Sequence, residues 1–73
     1  MKLWYRRDGR YFAAWISTNL FNELEVVTAW GSTYSRAGGT KALPAATESA
    51  AITIVEQISK RRRQHRYVER ENQ

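Results

Sequence analysis

The chain has 73 residues, with 12 Lys or Arg against 7 Asp or Glu and a formal net charge of +5. This length predicts one small domain, residues 1–73, with a modest hydrophobic core. The chain has no Cys and one His, which excludes disulfide bonds, cysteine-based redox chemistry and a zinc site built from these two residue types.

The ionisable side chains show no pattern typical of an enzyme. The carboxylates are scattered, and His65 has no second His and no Cys with which to share a metal ion. Catalysis most often needs paired carboxylates, a nucleophile beside a base, or a metal cluster. The sequence therefore predicts a protein that is not an enzyme, with no catalytic residue, no metal, no cofactor and no small-molecule substrate.

The N-terminal segment lacks the apolar core of a signal peptide. No apolar run in the chain approaches the ~20 residues of a membrane-spanning helix. These features predict a cytoplasmic protein without a membrane partner. The basic charge instead favours polyanionic partners such as DNA.

An N-terminal β-hairpin is predicted from a short strand over residues 3–7 and a return strand over residues 10–18. Asp8-Gly9 between them is a two-residue turn signal, because a type I′ turn needs positive φ at both central positions. Aromatic and β-branched residues support the second strand. Its two alternating faces are both apolar, which leaves open whether the core lies on the side of Tyr11, Ala13 and Trp15 or on that of Phe12, Ala14 and Ile16.

The middle of the chain predicts a further strand over residues 24–30, after a loop over residues 19–23. Residues 32–39 read as a second loop, since they contain two consecutive glycines. Residues 40–43 follow as a short strand that Pro44 ends. The better candidate for the core face of the longer strand is the set Leu24, Val26, Thr28 and Trp30.

A C-terminal helix is predicted from residue 48 to about residue 65. Thr47 is a good N-cap, and Glu48 in the first turn suits the helix dipole. Tyr67 and Val68 read as a terminal strand, and residues 69–73 as a frayed tail. The fold class is therefore α+β, with a small antiparallel sheet of four or five strands packed against this one helix. The apolar positions that recur at helical spacing are Ala51, Ile54, Val55 and Ile58.

The loop after Trp30 is the first candidate binding region. Its backbone N–H groups, with Arg36 and Lys41, are able to cradle a phosphate, and the Trp30 ring is able to stack on a base or sugar. The alternatives are a plain hairpin connection and a tryptophan that only packs at the core or its rim.

The helix end is the second candidate region. Its basic run predicts phosphate contacts, although cations here also suit the helix dipole and solubility. Arg62 and His65 continue the apolar stripe, so their side chains are able to cover apolar surface. The run comprises Lys60, Arg61, Arg62, Arg63, Gln64, His65 and Arg66.

Several short landmarks follow one another over about residues 10–68. They are Leu20-Phe21-Asn22, the Val-rich strand that ends at Trp30-Gly31, the Gly-containing loop with Lys41, the capped helix with Ala51, and the basic end that closes on Arg66-Tyr67. The order of these landmarks resembles the WGR domain, a family named for a Trp-Gly-Arg triplet. That domain occurs in poly(ADP-ribose) polymerases and in small stand-alone bacterial proteins.

The resemblance implies a curved antiparallel sheet packed against one helix. In the polymerases the domain contacts DNA near a strand break and touches neighbouring domains, and its Trp and Arg take part in the DNA contact. Trp30 and Gly31 match the first two letters of the triplet, whereas Ser32 stands at the third. Ser32 offers a short neutral hydroxyl where the family has a guanidinium.

Together these features predict a non-enzymatic module that binds nucleic acid through a basic loop and the helix end. The alternative is a protein-interaction or homodimerisation module that uses exposed aromatic residues of the N-terminal hairpin. The residues predicted to contact nucleic acid are Trp30, Arg36, Lys41, Lys60, Arg61 and Arg63.

Overall fold

The computed structural model describes residues 1–71, apart from the side chains of residues 35–37 and 71. One sheet of five antiparallel strands packs against one C-terminal helix, which confirms the predicted α+β class. The elements in chain order are β1 (Lys2–Tyr5), β2 (Arg10–Thr18), β3 (Leu24–Ser32), β4 (Ser35–Pro44), α1 (Glu48–Gln64) and β5 (Val68–Glu71).

The strands lie in the order β4-β3-β2-β1-β5. β1 to β4 pair as successive hairpins, and the chain then crosses the sheet through α1 and returns as β5 beside β1. The predicted terminal strand over Tyr67 and Val68 is confirmed at Val68 but not at Tyr67, because β5 begins at Val68. The prediction of a frayed tail is wrong for residues 69–71. Those residues pair with β1, which would otherwise leave its backbone N–H and C=O groups at an open edge. Residues 72 and 73 lie outside the described residues.

The turn between β1 and β2 is longer than the predicted two-residue turn. The Gly9 N–H donates to the Arg6 carbonyl at 3.1 Å, and within this turn only Gly9 has a positive φ, 87°. The Asp8 Oδ1 accepts the Arg10 N–H at 3.2 Å. Asp8 thus stabilises the turn through its side-chain hydrogen bond and does not adopt the positive φ that a type I′ turn would require of it.

The predicted loop over residues 32–39 is wrong. β3 continues to Ser32 and β4 begins at Ser35, so that only a tight turn separates them. Gly39 pairs with Trp30 inside the sheet, and a Cβ at Gly39 would lie 2.9 Å from Cζ2 of the Trp30 indole. Gly39 therefore makes room for the Trp30 side chain of the neighbouring strand, and it does not form part of a turn.

The helix covers one face of the sheet and settles which face of β2 meets the core. Trp4 pairs with Phe12, and Phe12 with Trp30, so these three side chains share the face that α1 covers. On this face Trp4 and Val26 are fully buried. The predicted core face of β3 is thus confirmed, although Trp30 at its end is 40% exposed.

The start of α1 follows the prediction. The Thr47 side chain accepts the Ala50 N–H at 3.1 Å, as an N-cap does. The helix ends at Gln64, and the Tyr67 N–H then donates to the Arg62 carbonyl at 3.0 Å. This bond folds the chain back across the helix end and places Tyr67 beside the sheet.

Candidate functional site

A cleft of about 690 Å³ lies between the C-terminal half of α1 and strands β2, β3 and β4. Trp30 and Lys41 line it from the sheet, and Ile58 and Arg61 line it from the helix. We call it the basic aromatic cleft, because its walls combine cations with aromatic rings. The cations are Arg10, Lys41, Arg61 and Arg62, and the rings include Phe12, Trp30 and Tyr67.

Trp30 presents a partly open ring in this cleft. Its indole stacks on Phe12, with 6.3 Å between ring centroids and 14° between ring planes, and it packs over the Cα of Gly39. At 40% exposure the remaining surface faces solvent. Trp30 therefore packs at the rim of the core, as one of the two alternatives predicted, while part of its ring stays open.

Arg62 lines the cleft, although it is not among the six residues predicted to contact nucleic acid. Its guanidinium carbon lies 4.4 Å from the centroid of the Phe12 ring and 5.3 Å from that of Tyr67. The predicted cover of apolar surface by Arg62 is confirmed, but these cation–π contacts also hold the charged head in the cleft wall. Its spacing of four residues from Ile58 was the available signal, because it puts both on one helix face.

The Arg62 charge has no acidic partner among the described residues. Its Nε–H group is buried and donates no hydrogen bond there. Arg10 is the cleft cation that does have a partner, with its Nε 3.6 Å from Oδ2 of Asp8. No Asp or Glu stands among the described residues that line the cleft. The cleft is therefore a region of positive potential beside low-polarity walls.

The structure brings three of the predicted contact residues together and leaves two aside. Trp30, Lys41 and Arg61 line the cleft, whereas Lys60 and Arg63 are exposed on α1 and do not line it. The side chain of Arg36 lies outside the described residues.

Arg63 belongs to a different cluster. Its Nη1 donates to Ser59 Oγ at 3.0 Å, and that hydroxyl donates to Glu69 Oε1 at 3.3 Å. Lys2 Nζ lies 3.7 Å from the same Glu69 oxygen. Arg63 and Ser59 thus link α1 to β5 through hydrogen bonds. β5 is the edge strand opposite β4, which carries Lys41.

Replacing Gly39 with alanine is expected to displace the Trp30 ring. The added Cβ would lie 2.9 Å from indole Cζ2, closer than carbon atoms pack, and such overpacking costs about 1–3 kcal/mol. We expect a shifted Trp30 indole N–H signal in a ¹⁵N NMR spectrum and a lower unfolding temperature. Thr40→Ala is the matched control on the opposite face of β4 and should leave that signal in place. An unmoved Trp30 signal in Gly39→Ala would contradict the packing described.

Among the described residues, no group of three or more His, Cys, Asp or Glu side chains is placed to hold a metal ion. In the same part of the chain, no helix is both long and apolar enough to cross a membrane. Comparison of the chain with protein-family models, curated proteins and solved structures finds no match. The function is therefore inferred from the chemistry of the basic aromatic cleft itself.

Proposed function

We propose that this protein is a non-enzymatic binding module that takes nucleic acid in the basic aromatic cleft. The observation that carries the proposal is the convergence of Trp30, Lys41 and Arg61, from three different elements, on one cleft with no carboxylate among its described lining residues. A polyanion with flat, stackable rings is the ligand class that matches cations beside an open indole. Nucleic acid has both features.

Each group has a distinct role in this proposal. The open surface of Trp30 stacks on a base or packs on a sugar, a contact worth about 1–3 kcal/mol per base. Lys41 from β4 and Arg61 from α1 both line the cleft and neutralise backbone phosphates. Arg62, with its guanidinium carbon 4.4 Å from the Phe12 ring centroid, offers a planar guanidinium suited to two parallel hydrogen bonds with one phosphate.

The resemblance to WGR domains supports DNA as the nucleic acid. Ser32 lines the cleft, and its Oγ accepts the Tyr34 N–H at 3.1 Å, so the residue at the third letter of the triplet serves the turn. Arg61 and Arg62 stand on the opposite wall of the same cleft. In this proposal they supply from α1 the guanidinium that the triplet lacks.

The proposal is tested by titrating the protein with nicked duplex and with single-stranded DNA over a range of salt concentrations. Three phosphate contacts would give a plot of log K against log salt with a slope of about −2.7 for duplex DNA. The Trp30 indole signal should shift during the titration, together with the amides of residues 38–41 and 61–62. No binding at about 50 mM salt, or shifts that leave Trp30 unmoved, would reject it.

A second candidate function is protein interaction through the N-terminal hairpin. Trp4 is fully buried and Phe12 lies beneath Arg62, which leaves Tyr5, Tyr11 and Trp15 to form such a surface. Their register puts these three side chains on the face away from α1. Sedimentation of Trp15→Ser beside the unmodified protein tests this candidate, because a hairpin interface would lose its association in the variant.

A further inference from the structure

The turn between β2 and β3 exposes two large apolar side chains. Leu20 is 101% exposed and Phe21 is 81% exposed. Turn positions ordinarily carry Gly, Asn, Asp, Ser or Pro, each for a backbone reason. Leu20 and Phe21 serve no such purpose and bury almost nothing within their own chain. We call this pair the apolar tip.

The apolar tip is held in one conformation. The Asn19 Oδ1 accepts the N–H of Phe21 at 2.9 Å and that of Glu23 at 3.1 Å. The Asn19 N–H donates to the Glu23 carbonyl at 2.9 Å, and the Asn22 N–H donates to the Asn19 carbonyl at 3.0 Å. Asn22 has the left-handed φ of 61° that asparagine tolerates. Because these bonds already fix the backbone of the turn, docking of the tip costs little further backbone entropy.

The charge near the tip is acidic, in contrast to the rest of the chain. Residues 11–35 contain no Lys or Arg, and Glu23 and Glu25 lie two and four residues after Phe21. Like-charge repulsion disfavours nucleic acid and anionic lipid at this end. A partner for the tip needs an apolar recess bordered by cations.

The basic aromatic cleft of the same protein is such a recess. Trp30 and Leu43 from the sheet and Ile58 from the helix give it apolar walls, and Lys41 and Arg61 give it charge. It lies toward the other end of the strands, since Trp30 follows Leu24 by six residues on β3, or about 20 Å. The tip of one molecule therefore does not reach its own cleft.

We propose that the apolar tip of one copy docks in the basic aromatic cleft of a second copy. Leu20 and Phe21 enter against Trp30, and Glu23 and Glu25 lie toward Lys41 and Arg61. The docking stands apart from the proposed function. One consequence rests on the proposed function. Nucleic acid and the tip compete for the same cleft, so self-association blocks nucleic-acid binding until a polyanion displaces the tip.

Complementation between two variants tests the docking by sedimentation velocity. Phe21→Ser removes the tip and keeps the cleft, and Arg61→Glu reverses a cleft charge and keeps the tip. The unmodified protein should associate more as its concentration rises and less as salt rises. Each variant alone should associate at least about tenfold more weakly, as expected for loss of a central contact. Their mixture should restore a 1:1 complex and nothing larger, because only one tip and one matching cleft remain.

Tyr34→Ser is the matched control for loss of an exposed aromatic turn residue, since Tyr34 is 82% exposed. It should associate like the unmodified protein. A monomer at every concentration, unchanged association of Phe21→Ser, or a mixture without a 1:1 complex would each overturn the docking.

Nicked DNA added to the unmodified protein separates the two proposals. If DNA dissociates the self-associated protein and Phe21→Ser binds DNA at least as tightly, both stand. If the protein self-associates through the tip but binds no DNA, the docking stands and the proposed function fails. If DNA binds and the protein is monomeric throughout, the docking alone fails.

Discussion

Replacing Trp4 with alanine is expected to unfold the domain at room temperature. Trp4 is 0% exposed and pairs with Phe12 on one side and Glu69 on the other, at the centre of the β2-β1-β5 region of the sheet. Truncating a buried Trp to Ala costs about 3–5 kcal/mol, and a domain of this size rarely has more than about 3–5 kcal/mol in total. Circular dichroism against urea should show the loss of the cooperative transition.

Two further variants test whether the loss of stability in Trp4→Ala comes from the loss of buried packing. Trp30→Ala removes the same side chain from a position that is 40% exposed, and it should keep a cooperative transition while losing affinity for DNA. Trp4→Phe should lower the free energy of unfolding less than Trp4→Ala, because an aromatic ring still fills the site. It also removes the indole Nε1–H, which is buried without a hydrogen-bond partner among the described residues. A Trp4→Ala protein within about 1 kcal/mol of the original stability would contradict this account of the core.

Neutralising the cleft is expected to weaken DNA binding far more than neutralising the exposed side of the helix. Lys41→Gln with Arg61→Gln removes two cations that line the cleft, whereas Lys60→Gln with Arg63→Gln removes two that do not. Both double variants lower the formal charge equally from +5. Any difference between them therefore reports position, not net charge.

The expected loss for the cleft pair is on the order of tenfold or more in affinity at low salt. The salt slope should fall by about 1 for each phosphate contact removed. The Lys60 and Arg63 pair should change the slope little. Unfolding temperatures measured in parallel show that both proteins are folded, and equal losses in the two double variants would mean that binding is non-specific charge attraction outside the cleft.

The features predicted correctly depend on residues close together in the chain. Thr47 caps the helix through a bond to Ala50, three residues on, and the aromatic and β-branched run of β2 has the bounds that were predicted. The apolar period of β3 likewise identified the face that holds Val26 and Thr28. Local hydrogen bonds and periodicity decide such features, and both can be read from neighbouring residues.

The predictions that failed depend on contacts between distant parts of the chain. Gly39 signals a loop when read locally, yet it lies in β4 because the Trp30 ring occupies the space above it. The sequence predicts that the tail after Val68 frays, yet residues 69–71 pair with β1, more than sixty residues earlier in the chain. Tertiary packing outweighs local propensity at both places.

The sequence by itself determined the class of fold, the helix and its cap, β2 and most of β3, and the basic character of the chain. Only the tertiary structure decided which cations share a surface. Lys41 and Arg61 both line the cleft, whereas Lys60, the neighbour of Arg61, does not. The physical reason is that a helix turns by about 100° per residue, so the run from Lys60 to Arg63 goes round the helix axis. Only the part of that run that faces the sheet, Arg61 and Arg62, lines the cleft.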